Sequence, residues 1–145
     1  MELRKEKIFL VTEKNLNREQ QKFVVDFFEE QVRPNVIPLM IESIEQFPYL
    51  REKSIYLAVV MSRKNSAYKR KYALIEVPTR AVSRFNLLPA SKPGEHNIIL
   101  LEDIIRYNLP RIFSFFEYET FSAHIIKVTK DAEFDIDYDE SLSYI

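Results

Sequence analysis

The fold is decided by the stretch RPNVIPLMIESIEQFPYLREKSIYLAVVM (residues 33–61), which joins the end of a helix to a strongly apolar strand. Pro34 ends the preceding helix, since the residue before a proline disfavours helical geometry. Pro38 limits residues 36–41 to a short extended piece or a sheet edge, because proline donates no backbone hydrogen bond. Residues 54–61 are almost continuously apolar, which is typical of a strand covered on both faces. We therefore expect this strand to lie centrally in a sheet.

The residues before this stretch predict a strand followed by a helix. Residues 7–11 (KIFLV) form a short β-prone run. Asn17 offers an N-cap oxygen, and Gln20 completes a capping-box pattern three residues later. The helix should continue to about residue 32. Its core-facing stripe is expected to comprise Phe23, Val24, Phe27 and Phe28.

The residues after the stretch predict four more strands and a second helix. Residues 72–77 should return as the antiparallel partner of 54–61, and residues 85–88 should pair with 98–101 across a Pro-Gly turn. A helix over 102–113 begins with two acidic residues at its positive end and should be kinked or shortened by Pro110. Residues 117–129 alternate as a long strand. The order predicts one α+β domain, with a mixed, mainly antiparallel sheet and two main helices packed on it.

Composition excludes several classes of function. The chain has 145 residues, 46% of them hydrophobic, which is enough for one folded domain with a real core. A net charge of −1 argues against a general nucleic-acid binder. The chain has no cysteine and therefore no disulfide, thiolate zinc site or cysteine nucleophile, which fits a cytoplasmic protein. A single glycine excludes a P-loop and a dinucleotide fingerprint. We find neither a signal peptide nor a transmembrane segment.

Few residues in the sequence are candidates for chemistry. His96 is predicted in an exposed turn and His124 inside a strand, and two scattered histidines do not make a metal site. The best candidates for polyanion contact are five cations on one predicted turn, which could instead be a solvated hairpin tip. They are Arg63, Lys64, Lys69, Arg70 and Lys71. The acidic residues from 131 to 140 lack the spacing of a calcium loop.

Four segments, in order, resemble the middle, or head, domain of polyphosphate kinases. The first is the opening stretch with the phenylalanines before it, where Ile37 replaces the usual threonine of the family's Pro-x-Leu-Thr-Pro turn. The others are VPTRAVSRFNLLP (77–89), LEDII (101–105) leading to Phe113, and IKVTKDAE (126–133). Residues 114–116 replace a common Pro-Gly. Together the segments cover nearly the whole chain.

The resemblance implies a parent enzyme that uses ATP and Mg²⁺ to extend inorganic polyphosphate by way of a phosphohistidine. In the family, this domain supports dimerisation and forms part of the wall of the active-site tunnel, while the catalytic motifs lie in other domains. No catalytic, cofactor or metal residue can be transferred to this chain, so we expect the isolated chain to be inactive. Residues 1–145 would be an excised head domain, with 131–145 as a linker toward missing catalytic domains.

The partners implied by the resemblance are the other domains of the same polypeptide, a second copy in a homo-oligomer, and polyphosphate. The implied location is cytoplasmic, with peripheral association with a membrane left open. A free-standing, non-catalytic binding or assembly module is the alternative to the fragment. A small independent enzyme is disfavoured, because the sequence offers no nucleophile paired with a base.

Overall fold

The computed structural model describes residues 6–42, 49–63, 66–114, 118–128 and 134–137. Within these residues the chain forms eight strands and three α-helices. In chain order they are β1 (Ile8–Leu10), α1 (Arg18–Phe27), β2 (Leu39–Ile41), β3 (Ile55–Arg63), β4 (Ser66–Glu76), β5 (Phe85–Leu88), β6 (His96–Leu100), α2 (Leu101–Tyr107), α3 (Leu109–Ile112), β7 (Thr120–Val128) and β8 (Phe134–Asp137).

The chain divides into two compact units and passes from one unit to the other at three points. Unit 1 comprises Met1–Asn35 and Pro78–Leu109, and unit 2 comprises Val36–Val77 and Pro110–Ile145. Each unit contains one sheet. The predicted α+β class with mainly antiparallel pairing is confirmed, but the strands divide between two sheets instead of forming one. Pro78 ends the path after β4, and its carbonyl accepts a hydrogen bond from the Val82 N–H at 2.9 Å in a turn that redirects the chain.

Unit 1 contains a three-stranded sheet with the order β1-β6-β5. The pairing of β1 with β6 is parallel, and that of β5 with β6 is antiparallel, as predicted for residues 85–88 and 98–101. The Pro93–Gly94 turn between them is also confirmed. The Glu95 N–H donates to the Lys92 carbonyl at 3.1 Å, and Gly94 has a φ of +84°, which only glycine adopts readily.

The start of α1 has the predicted capping box. Asn17 Oδ1 accepts from the Gln20 N–H at 2.8 Å, and Gln20 Oε1 accepts from the Asn17 N–H at 3.1 Å. Gln20 is also buried, and its Nε2 donates to the Pro89 carbonyl at 2.8 Å and to Asn97 Oδ1 at 3.1 Å. The residue that closes the cap therefore also fixes the helix to the β5–β6 connection.

The helix continues beyond α1 as a π-helical turn over Phe28–Val32 and a 3₁₀ turn over Arg33–Asn35. The π-helical turn ends at the predicted residue 32, but Arg33 keeps helical backbone angles and Pro34 lies within the 3₁₀ turn, so the prediction that Pro34 ends the helix is wrong. Val24, Phe28 and Val32 are fully buried at a spacing of four residues. Phe23 and Phe27 are only half-buried and stack on each other with ring centroids 5.7 Å apart. The core-facing stripe is thus narrower than the one predicted from the phenylalanines.

Unit 2 contains a five-stranded antiparallel sheet with the order β2-β4-β3-β7-β8. The apolar strand β3 lies at its centre, and β2 lies at its edge after Pro38, so both predictions from the opening stretch are confirmed. Leu57, Val59 and Met61 are buried on one face of β3. On the other face Tyr56 is buried with Leu50 and Leu74, whereas Ala58 is only partly covered.

Two parts of unit 2 depart from the sequence prediction. Strand β4 begins at Ser66, so most of residues 63–71 belong to strands and not to a turn. Within the linker expected for residues 131–145, Phe134–Asp137 pair with β7 as β8. The alternation of Phe134 and Ile136 with aspartates has the two-residue period of a strand, which explains this outcome.

The second helical segment is interrupted, as predicted from Pro110. Helix α2 ends at Tyr107, Asn108 separates it from α3, and Pro110 is the second residue of α3.

Parts of the four segments that resemble the family fall on residues 43–48, 115–117 and 129–133, which lie outside the described residues.

Candidate functional site

The candidate polyanion-binding residues lie on the β3–β4 hairpin of unit 2. Arg63 is exposed at the end of β3, and Arg70 and Lys71 are exposed in β4. Lys69 also belongs to β4, but its side chain, like the whole of Lys64, lies outside the described residues. Three of the five predicted cations can therefore be placed.

The strand register distributes these three cations around the hairpin. Arg70 and Lys71 are neighbours in one strand, so their side chains leave opposite faces of the sheet. Lys71 lies opposite Met61, and a register shift between Met61 and Arg63 brings Arg63 opposite Ser66. The Arg63 guanidinium lies 5.9 Å from the centroid of the Tyr118 ring. The three described cations are therefore spread around the hairpin and do not converge on one anion.

Next to Arg63, a pair of hydroxyl side chains joins β3 to β7. Ser62 and Thr120 lie directly opposite each other, and their side-chain oxygens share a hydrogen bond. Thr120 Oγ1 also donates to the Ser62 carbonyl at 3.1 Å, and the Glu119 N–H donates to the same carbonyl at 3.1 Å. These bonds hold the end of the central strand, which positions Arg63.

The two histidines occupy different units. His96 is exposed and is the first residue of β6, where its N–H donates to the Lys7 carbonyl at 2.9 Å. It thus lies in a strand and not in the turn predicted for it. His124 is half-buried in β7 opposite Ala58, in the strand predicted for it. Among the described residues, no group of three or more histidine, aspartate or glutamate side chains is placed to hold a metal ion.

Two buried ion pairs in unit 1 were not predicted from the sequence. The Glu102 carboxylate, at the start of α2, is fully buried. Arg84 Nη2 donates to Glu102 Oε2 at 2.7 Å, and Arg84 Nε lies 3.2 Å from Glu102 Oε1, so the contact is bidentate. Such planar, two-point contacts are among the strongest ion pairs in proteins. The pair fixes the chain before β5 to the first turn of α2.

The second buried pair joins Asp103 to Arg106 one turn later in α2. Arg106 Nη1 donates to Asp103 Oδ1 at 2.8 Å, and both side chains are almost completely covered. The pKa of Asp103 is raised to about 6, mainly by burial and also by the nearby charge of Glu13, while Arg106 acts in the opposite direction. The carboxylate is therefore held in its ionised form at neutral pH against a desolvation penalty.

The sequence contains a signal for these pairs. Glu102 and Asp103 lie between Leu101 and Ile104, inside the apolar stripe of α2. We expected them to complement the helix dipole, and two adjacent acids within an apolar stripe also indicate burial with cationic partners. Arg106, three residues after Asp103, has the spacing of a helical neighbour. Arg84 is distant in sequence and could not have been assigned as the partner of Glu102.

Comparison with known proteins assigns the chain to a family. The family model described as the polyphosphate kinase middle domain matches residues 19–145. The chain belongs to the polyphosphate kinase middle-domain family. It is similar to polyphosphate kinases of Vibrio cholerae (38% identity over 148 residues, 100% of this chain), Vibrio vulnificus (37% over 141, 95%) and Escherichia coli (34% over 139, 94%).

A crystal structure of a polyphosphate kinase from Porphyromonas gingivalis has the same fold over 94% of this middle domain. The TM-score is 0.82 and the sequence identity is 28%. The chain spans about a fifth of the relatives it matches, namely 20% or 21% of the curated sequences above and 22% of the Porphyromonas gingivalis chain. In the described part of the middle domain, no helix has the length and apolar character needed to cross a membrane.

Proposed function

We propose that this chain is the non-catalytic middle domain of a larger polyphosphate kinase. The observation that carries the proposal is the difference between the share of this chain that is matched and the share of its relatives that is matched. The relatives match 94% to 100% of this chain, yet the matched part is only about a fifth of their length. The remaining four fifths of such an enzyme offer the space for a nucleotide site and a nucleophile.

The parent enzyme would transfer the terminal phosphoryl group of ATP to inorganic polyphosphate, with Mg²⁺ to neutralise the phosphate oxygens. The phosphoryl group would move first to a histidine, with release of ADP, and then from that nitrogen to the end of the polyphosphate chain. We place this histidine outside residues 1–145. The reaction would take place in the cytoplasm, and the middle domain would wall the active-site tunnel and support dimerisation.

The isolated chain provides the test of this proposal. Incubation with ATP, Mg²⁺ and polyphosphate should yield no ADP above the buffer control and no acid-labile phosphate on the protein. A full-length polyphosphate kinase from Vibrio cholerae, assayed in parallel, would be the positive control. Turnover by the purified 145-residue chain, or a phosphohistidine on His96 or His124, would refute the proposal.

A second candidate function is contact between the hairpin and polyphosphate. The supporting observation is the exposure of Arg63, Arg70 and Lys71 at one end of unit 2. Their combined field should attract a polyanion and should weaken as salt is added. The positions on two faces of the sheet favour wrapping or steering of a flexible chain over a fixed phosphate pocket.

Charge-removal variants test this contact. The triple variant Arg63→Gln/Arg70→Gln/Lys71→Gln should bind fluorescent polyphosphate at least about fivefold more weakly at low salt, because three favourable charges are lost. The matched control is Lys14→Gln/Arg80→Gln/Lys92→Gln, which removes three exposed cations from unit 1. Equal weakening in both variants would mean that the net charge, and not the hairpin, attracts polyphosphate.

The alternative is a free-standing assembly module that has no enzyme attached to it. The two proposals are distinguished by the gene, since a reading frame that continues past residue 145 into a catalytic half supports the enzyme fragment. A stop codon at that point, together with an unchanged middle-domain fold, favours the assembly module.

A further inference from the structure

The π-helical turn after α1 has a cause in the spacing of its apolar residues. Val24, Phe28 and Val32 are fully buried at intervals of four residues, whereas Gln31 is exposed. An α-helix advances about 100° per residue, so each interval of four exceeds a full turn by about 40°. Two such intervals would rotate Val32 by about 80° from Val24, while Gln31 would lie only about 20° from it. A regular α-helix would therefore direct Gln31, and not Val32, toward the core.

The π turn compensates for this rotation. The Arg33 N–H donates to the Phe28 carbonyl, whereas in an α-helix it would donate to the Glu29 carbonyl. The wider turn contains one residue more than an α turn, which returns Val32 to the core and leaves Gln31 in solvent. Such turns are rare, occur mostly singly within α-helices and are frequent at functional sites.

One side-chain contact distinguishes the π turn from an α turn. The Arg33 guanidinium lies 5.2 Å from the centroid of the Phe28 ring. In an α-helix, residues five apart point about 140° away from each other, so this cation–π contact requires the π turn. Arg33 Nε also donates to Glu29 Oε2 at 2.6 Å. That ion pair suits both kinds of turn, because residues four apart are neighbours on an α-helix.

We propose that residues 28–33 form a turn with two registers, in which the π turn with Val32 in the core is the major state and an α turn with Gln31 in the core is the minor state. Burial of Val32 and the contact of Arg33 with Phe28 favour the π register, whereas the regular α-helical hydrogen bond favours the other. The chain leaves unit 1 directly after Asn35. The register thus sets the rotation of the last helical residues before the chain enters unit 2. This conformational device is independent of the proposed function.

NMR relaxation dispersion on the 145-residue chain would detect the minor state, because it reports exchange on the microsecond to millisecond timescale. The wild-type chain should show exchange at the amides of residues 29–33. Arg33→Gln should raise the population of the minor state about two- to fivefold, the factor that corresponds to an exposed cation–π contact. Lys22→Gln is the matched control, because it removes an exposed ion pair with Asp26 in the same helix. It should leave the exchange unchanged.

A pair of variants tests the registers themselves. Val32→Gln leaves a polar side chain at the core position of both registers and should lower the urea midpoint by at least about 1 M. Adding Gln31→Val should restore most of this loss, because the α register then buries the apolar side chain. In the double variant, scalar couplings across the hydrogen bond should show that the Arg33 N–H donates to the Glu29 carbonyl and no longer to the Phe28 carbonyl.

Three outcomes would overturn the proposal. The first is the absence of exchange at residues 29–33 in both the wild-type chain and Arg33→Gln. The second is an equal rise of the minor population in Arg33→Gln and Lys22→Gln. The third is a double variant that is no more stable than Val32→Gln alone, because the helix would then have only the π register. None of these measurements involves the kinase assay, so this proposal and the proposed function fail separately.

Discussion

At the residue scale, Asp103 is the carboxylate whose ionisation is coupled to folding. Its pKa is about 6 in the folded chain against an ordinary value of 3.8, with burial as the main cause. The folded state thus binds this proton more tightly than the unfolded state. Asp103 contributes most to the free energy of unfolding below pH 3.8. This contribution decreases as the pH rises toward 6, and above pH 6 the ionisation of Asp103 no longer changes the stability with pH.

Replacement of Asp103 by asparagine should remove this pH dependence. The amide is neutral at every pH and retains an oxygen that can accept from Arg106. We expect Asp103→Asn to raise the free energy of unfolding at pH 7 by up to about 3 kcal/mol, at roughly 1.4 kcal/mol per pKa unit. Urea unfolding from pH 4 to pH 8 would measure it. The control is Asp26→Asn, an exposed acid in α1, and equal pH slopes in wild type and Asp103→Asn would contradict the assignment.

The buried pair of Arg84 and Glu102 makes a different prediction. Arg84→Met leaves a fully buried carboxylate without its bidentate partner and should destabilise the chain by about 3 to 5 kcal/mol. Arg84→Met/Glu102→Met removes both charges and should recover much of that loss. A double-mutant cycle in urea measures the coupling energy. Additive effects of the two single substitutions would show that the pair does not act as a unit.

At the element scale, the capping box of α1 is the feature most open to a quantitative test. Asn17→Ala removes the oxygen that accepts from the Gln20 N–H and should destabilise the chain by about 1 kcal/mol. Asn17→Asp keeps a hydrogen-bond acceptor at the positive end of the helix and should retain most of the stability that Asn17→Ala loses. Asn15→Ala is the control, because its exposed amide bonds only to Thr12 in the contacts described. Equal losses at positions 15 and 17 would contradict the role of the cap.

The elements also separate what the sequence predicts from what it does not. Asn17, Pro38 and Pro110 act on the backbone within a few residues, so the start of α1, the edge position of β2 and the interruption of the second helix were predicted correctly. Pro34 lies within a 3₁₀ turn and does not end its helix. The division into two sheets was not, because it depends on how β1 pairs with β6 across more than 80 residues of sequence. The family pattern locates the domain, but the partner of Glu102 follows only from the folded structure.

At the scale of the whole molecule, the chain folds into two compact units and spans about a fifth of the polyphosphate kinases it matches. Among the described residues, the hairpin cations and His124 belong to unit 2, whereas His96 and the two buried ion pairs belong to unit 1. On the proposed function, the chain would contribute architecture to a polyphosphate kinase whose catalytic groups lie in its other domains.

A domain exchange tests this claim most directly. The matched segment of the Vibrio cholerae polyphosphate kinase, to which the chain is 38% identical, would be replaced by this chain, and ADP formation from ATP would be measured with polyphosphate present. The account predicts that the chimaera forms ADP, whereas the same enzyme with a short flexible linker in place of the segment does not. A soluble, folded chimaera that binds ATP but forms no ADP would contradict it.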